Sequence, residues 1–347
     1  MNQDWQNFIA QQGAQVNEGV VEHFGDLQAE LLAARDGNVV CDLSQFGTLK
    51  VAGEDAQGFL QNLLSSDVKL VSPKQAQPSS FNSPKGRMMA TFLVWQNGTD
   101  YYLQVPHSLT AAMQKRLSMF VLRSKVKVTD VSDAMVGLGV SGSAATELIK
   151  KQFGSAPEGD WAAQQHDGSS VIRVGAQRFQ ISTTAAQAPD LWAALAAAAR
   201  PVGGTCWDWL NIRAGIPVIT PATQEQFVLQ MTNIDVLGGV SFKKGCYPGQ
   251  EIVARTQYLG KLKRRMYLAH IDSATAPKAG DEVFSAEMAG QPSGMVINAA
   301  PAAGGGFDLL AVLQISSRDT QSVHLHSLEG AALNFLPLPY SIESATA

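Results

Sequence analysis

The chain has 347 residues, more than one ordinary core usually organises, so two or three domains are expected. Apolar residues make up 45% and charged residues 16%, which excludes an intrinsically disordered chain. No run of about eighteen apolar residues occurs, which excludes a spanning helix, and a net charge of −4 gives the chain as a whole no attraction for nucleic acid.

The N-terminal stretch MNQDWQNFIAQQGAQ is polar, with neither a basic leader nor an apolar segment, so a cytoplasmic protein with no membrane partner is expected. Trp5, Phe8 and Ile9 share the face of a first helix, and Leu27, Leu31 and Leu32 mark a second. Residues 1–37 therefore read as a helical extension. A strand pair follows at 39–43 and 48–51, and Gly53 opens a helix bearing Phe59, Leu60, Leu63 and Leu64. Segments 91–95 and 101–105 flank Asn97-Gly98, a pair suited to a tight hairpin turn. Ser108 is placed to cap the next helix, in which Leu109, Met113, Leu117 and Val121 recur every four residues.

Strands are expected at 125–129 and 135–140, with a helix at 144–153. Residues 154–169, rich in Gly, Ala and Gln, mark a loop or subdomain break. A hairpin (170–174, 178–182) leads to an alanine-rich helix at 191–200. Thr205 can cap a further helix ending at Gly215, with Pro217 beyond it. On that helix Trp207 and Trp209 stand about 200° apart, so one can pack a core while the other faces a cavity. Beyond residue 261 come short alternating segments at 265–271, 282–285, 294–297, 309–315, 323–327 and 332–336. Gly and Pro turns separate them, as in a small antiparallel barrel over 261–347. Helices mixed with strand pairs, without a sustained βαβ rhythm, make the class α+β, with 38–260 as the main region.

The segment Lys243-Lys244-Gly245-Cys246-Tyr247-Pro248-Gly249-Gln250-Glu251 carries the strongest chemical signal. Glycines leave the thiol uncrowded, and adjacent lysines favour a thiolate, the form that attacks electrophiles and binds metals. Cys41 lies in an apolar run and Cys206 at the start of a tryptophan-rich helix, both suited to packing. Three widely spaced cysteines fit a reducing compartment. Between Lys243 and Arg265 seven basic residues face one acid, Glu251. That stretch suits either a polyanion, RNA included, or a plain solvated surface. His324 and His326 alternate on a strand without a nearby Cys or carboxylate, so no stable metal site is expected.

Residues 244–251 match the Lys-Gly-Cys-aromatic-x-Gly-Gln-Glu signature, and the chain is identified as a member of the YgfZ family. Segments 51–61, 211–217 and 336–340 also resemble that family. The resemblance implies the folate-binding fold of the glycine-cleavage aminomethyltransferases (GcvT-like), with ferredoxin-like subdomains around a central pocket and a C-terminal antiparallel barrel. It implies tetrahydrofolate or another reduced folate as ligand, with Trp207 and Phe46 as pocket aromatics and Lys85 and Arg213 as further contacts. It implies Cys246 as the functional thiol, within a motif of Lys244, Gly245, Tyr247, Gly249, Gln250 and Glu251, holding metal transiently at most. The expected partners are iron–sulfur enzymes, among them radical enzymes that thiolate tRNA. Residues 81–95 contain no carboxylate, and Met89 and Ala90 stand where the transferase branch carries an essential aspartate. Glycine cleavage is therefore not expected, and a folate-dependent one-carbon transferase is the alternative.

Overall fold

The computed structural model describes residues 1–258, 260, 262–320 and 322–342; Lys261, the expected boundary residue and one of the seven cations, lies outside them. The chain forms two compact units. The first comprises Met1–Leu60, Val68–Gln77 and Phe92–Trp207; the second comprises Gln61–Asp67, Pro78–Thr91 and the chain from Asp208 onward.

In the first unit the Asn2 side chain accepts from the Asp4 and Trp5 amides and starts helix Gln3–Gln11. A six-stranded sheet runs in the order Ala163–His166, Ser169–Gly175, Arg178–Thr184, Met135–Ser141, Val39–Asp42, Arg200–Val202. Only the last pair is parallel. Helices Gln3–Gln11, Ala145–Phe153 and Ala188–Ala196 bury Trp5, Ile9, Ile149, Phe153 and Trp192 against Val40, Leu138, Val140, Phe179 and Ile181 of this sheet. Gly154, at φ +77°, ends the second of these helices in the left-handed conformation that glycine favours.

Strand Phe46–Ala52 pairs with Asp100–Pro106 and Lys127–Asp130. The expected pairing of 39–43 with 48–51 is therefore corrected: these strands lie in different sheets. Val39–Asp42 is buried at every position, as an interior strand is, whereas Phe46–Ala52 alternates. The hairpin around Asn97-Gly98 forms as expected, with Asn97 opposite Asp100. Ser108 does not cap: helix His107–Ser118 begins one residue earlier, after Pro106, which places Ser108 inside the first turn. Val121 falls beyond that helix. Likewise helix Ala56–Gln61 stops before Leu63 and Leu64, and Gly204–Arg213 begins ahead of Thr205. The small hairpin Gln15–Asn17 with Val20–His23 was not expected from the sequence.

In the second unit, residues 78–82 run beside the start of strand Met88–Asn97. Six antiparallel strands form a curled half-barrel sheet: His324–Leu325, Glu282–Phe284, Pro292–Pro301, Phe307–Gln314, Arg264–Ile271 and Asn334–Leu336, in that order. Its core is small and aliphatic, built from Ala269, Ile271, Val283, Val296, Leu309, Ala311 and Leu313. Among the described residues no helix is long and apolar enough to cross a membrane.

Candidate functional site

Serines supply the floor of the Cys246 loop in the second unit. The Ser65 amide donates to the Ser80 carbonyl at 3.0 Å, and the Ser80 amide donates to Ser65 Oγ at 2.9 Å. Ser66 Oγ donates to Ser79 Oγ at 2.7 Å, and Ser80 Oγ donates to Asn82 Oδ1 at 3.0 Å. All five residues are buried. This ladder turns two carbonyls toward Lys244, whose Nζ donates to Leu64 O at 2.6 Å and Ser66 O at 2.9 Å. The ammonium also lies 5.2 Å from the centroid of the Tyr247 ring. Burial pulls the Lys244 amine down to about 8, while Asp67 works in the opposite direction.

Gly249 fixes the far side of the loop. At φ +78° a Cβ there would stand 2.5 Å from Gly86 Cα and 2.6 Å from the Ser83 carbonyl, so only glycine lets the loop seat on the 83–87 turn. Tyr247 is buried; burial raises its hydroxyl pKa, and that hydroxyl finds no hydrogen-bond partner among the described residues. Asn82 Nδ2 and Ser83 Oγ are also buried without a partner among the described residues. Gln250 opens helix Gln250–Tyr258, and its Nε2 donates to the Lys244 carbonyl at 3.4 Å. Glu251 sits exposed in the first turn, where the helix dipole favours a negative charge. Gly245 and Cys246 are exposed between the buried anchors Lys244 and Tyr247. The result is a solvent-facing thiol on a loop anchored at both ends.

Of the other expected site residues in this unit, Lys85 lies exposed on the 83–87 turn. Arg213 pairs with the buried Asp308 at 3.4 Å. That carboxylate also accepts from Trp209 Nε1 at 2.8 Å and from His270 Nδ1 at 2.8 Å. The basic stretch is thinner than its sequence suggests: Lys244 is buried, and Arg265 is buried in an ion pair with Asp235 at 2.9 Å. Lys243, Arg255 and Lys263 are exposed, with Arg264 half-buried.

Phe46 and Trp207 belong to the first unit. Phe46 is half-buried and lines a cavity of about 40 Å³ together with Trp5, Asp42, Gln104, His107 and Gln180. Gln180 Nε2 donates to Gln104 Oε1 across it. Asp42 accepts from Trp5 Nε1 at 2.8 Å, and burial raises its carboxyl pKa. Trp207 is only 1% exposed, with Arg178 stacked 4.5 Å from its ring centroid and Gly139 closing beneath it. Burial draws the Arg178 guanidinium down to about 10. Trp207 is not among the residues lining that cavity. Sequence alone does not single out Gln104 and Gln180; the signal, a glutamine between apolar neighbours (Leu103 and Val105, Phe179 and Ile181), is weak.

Cys41 is buried, its Sγ donating to Gly203 O at 3.1 Å, and Cys206 is buried as well, so Cys246 is the exposed one of the three. His324 Nδ1 meets the Gly330 carbonyl, and His326 Nε2 meets Asp281. Among the described residues no three His, Cys, Asp or Glu side chains are arranged to hold a metal ion.

The GCVT N-terminal domain family matches residues 10–236. Two relatives, from Enterobacter sp. (strain 638) and Photorhabdus laumondii, both named tRNA-modifying protein YgfZ, are 30% and 28% identical to the chain. The first alignment covers 90% of this chain and 96% of the relative; the second covers 86% and 92%. In structure the chain is similar to the glycine cleavage system aminomethyltransferase T from Bartonella henselae, with a TM-score of 0.80 over 99% of this chain and 98% of that one. At 16% identity that likeness speaks for the fold alone, a GcvT-like one. With the Lys244–Glu251 motif in place and the curated relatives matched nearly end to end, the chain belongs to the YgfZ family of GCVT-domain proteins.

Proposed function

We propose that the protein is a cytoplasmic, reduced-folate-binding accessory factor that maintains iron–sulfur clusters in client enzymes and, through them, supports tRNA thiolation. The observation that carries this reading is the presentation of Cys246. Its loop is anchored by buried Lys244 on one side and buried Tyr247 and Gly249 on the other, and the thiol itself faces solvent. A thiol held this way is available to a partner without rearrangement of its own backbone. A resident cluster ordinarily takes four protein ligands, so Cys246 acts as a thiol toward a client rather than as part of a holding site. The names of the relatives support the link to tRNA modification.

The folate part rests on the chemistry of the first unit's cavity. The bicyclic ring of a folate needs an aromatic face and paired donors and acceptors along its edge. Phe46 offers the face, and the Gln104 and Gln180 amides and the Asp42 carboxyl offer the edge groups. At about 40 Å³ the cavity admits water rather than a ring, so binding must part the Gln104–Gln180 hydrogen bond. Trp207 supports the site by packing on Gly139, the residue opposite Gln180. A one-carbon transferase reading lacks its acid, because residues 81–95 contain no carboxylate to position a reacting nitrogen. Calorimetric titration with tetrahydrofolate tests the reading. One site is expected, weakened about tenfold by Phe46→Ala or Gln180→Ala; unchanged affinity in both variants would move the site elsewhere.

A further inference from the structure

A second cationic region lies in the first unit, away from the motif. Residues 101–129 carry five cations (Lys115, Arg116, Arg123, Lys125 and Lys127) and no carboxylate, in a chain of net charge −4. All five are exposed. Lys125 is met by Glu54 at 2.7 Å, whereas the side chains of Lys115, Arg116, Arg123 and Lys127 make no hydrogen bond or ion pair among the described residues. Between these cations the chain leaves helix His107–Ser118 and turns through Met119, Phe120, Val121 and Leu122. Met119 is 67% exposed, Phe120 43% and Leu122 89%. The turn is closed by the Ser124 amide on the Val121 carbonyl at 2.7 Å.

Leu122 occupies the strained position of that turn, at φ +43°. Glycine or asparagine fits such a position readily, whereas a leucine there carries a steric penalty and gains no burial in return. A large apolar side chain kept strained and bare has its use in contact with something apolar.

We infer that the 119–122 turn and its flanking cations form a peripheral docking surface for an anionic lipid bilayer. The exposed side chains of Met119 and Leu122 lie on one turn, with cations before and after it in the chain. The boundary between headgroups and acyl chains accepts a projecting tip without needing a matching socket. Anionic headgroups complement the four unpaired cations, each contributing about a fivefold gain in partitioning near such a surface. RNA would use the charges but leave Met119 and Leu122 without a role. The contact is peripheral and reversible, compatible with the lack, among the described residues, of a helix long and apolar enough to cross a membrane.

The test is sedimentation of the full chain with phosphatidylcholine vesicles and with 1:1 phosphatidylcholine–phosphatidylglycerol vesicles. Binding to the anionic vesicles should exceed binding to the neutral ones by about several hundredfold and fall with added salt. Arg116→Gln should weaken it about fivefold. Leu122→Asn should weaken it too, while unfolding at the same or a higher temperature than the parent because asparagine tolerates the left-handed backbone. Equal binding to both vesicle types would overturn the proposal, as would undiminished binding by Leu122→Asn. Competition by tRNA, with tRNA affinity falling in parallel in the Arg116 variant and not in the Leu122 variant, would assign the surface to RNA instead.

Discussion

Two lysines precede Cys246 and meet different fates: Lys243 faces solvent, while Lys244 turns its Nζ onto the carbonyls of Leu64 and Ser66. The exposure of Cys246 was legible in the sequence, since its glycine and polar neighbours offer no apolar packing. The burial of Lys244 was not, because its acceptors lie 180 and 178 residues earlier and nothing local encodes them. Charge expected beside the thiol is instead part of the loop's foundation. This has a consequence for pH. In the fold Lys244 releases its proton near 8, whereas the unfolded side chain holds it to about 10.5. Above pH 8 the unfolded state binds the extra proton, so stability rises with pH. Tyr247 acts in the opposite sense once unfolded tyrosine ionises near 10, which closes the window there. Chemical denaturation of the parent should therefore show stability increasing from pH 8 toward 10. Lys244→Met should remove that slope, and an identical slope in the variant would show that another group is responsible.

At the scale of elements, helix Gly204–Arg213 shows what periodicity can and cannot reveal. Trp207 and Trp209 were placed on opposite faces by the helical repeat alone. Their partners were not predictable: Arg178 and Gly139 for the first, Asp308 for the second. Asp308 gathers Trp209, Arg213 and His270, and His270 also reaches Asp272 at 3.4 Å. Burial works against the charged imidazole, but the hydrogen bonds and charges of Asp308 and Asp272 outweigh it, raising the His270 pKa above its usual 6.5. A raised base contributes stability that is complete below pH 6.5 and is lost as pH rises through the folded value. The unfolding midpoint should thus fall as pH rises from 6.5 toward 8, below the window in which Lys244 acts, and His270→Gln should flatten that fall. Trp209→Phe, which leaves the buried carboxylate short of a donor, should cost about 1–3 kcal/mol in equilibrium unfolding; a loss within error would mean that water replaces the indole.

Across the whole molecule, the half-barrel strands of the second unit were legible because alternation and turn residues repeat at short intervals. Sheet membership in the first unit was not. Strands 39–42 and 46–52 are neighbours in sequence, yet register with Met135–Ser141 and with Asp100–Pro106 respectively, choices made by distant chain. The same limit applied to charge. Counting cations marked 243–265, but burial removes Lys244 and Arg265 from solvent, whereas the acid-free 101–129 stretch keeps all its cations exposed. Motif chemistry survives this limit in part: Lys244, Tyr247 and Gly249 lie with Cys246 within eight consecutive positions, while the carbonyls and the turn that seat them come from distant chain. On the proposed function, this thiol does the protein's work. The most direct measurement is the level of thiolated tRNA in a strain lacking its own family member and supplied with this chain. Cys246→Ser should abolish restoration while Cys41→Ser and Cys206→Ser restore it as the parent does. Full restoration by Cys246→Ser would contradict the account.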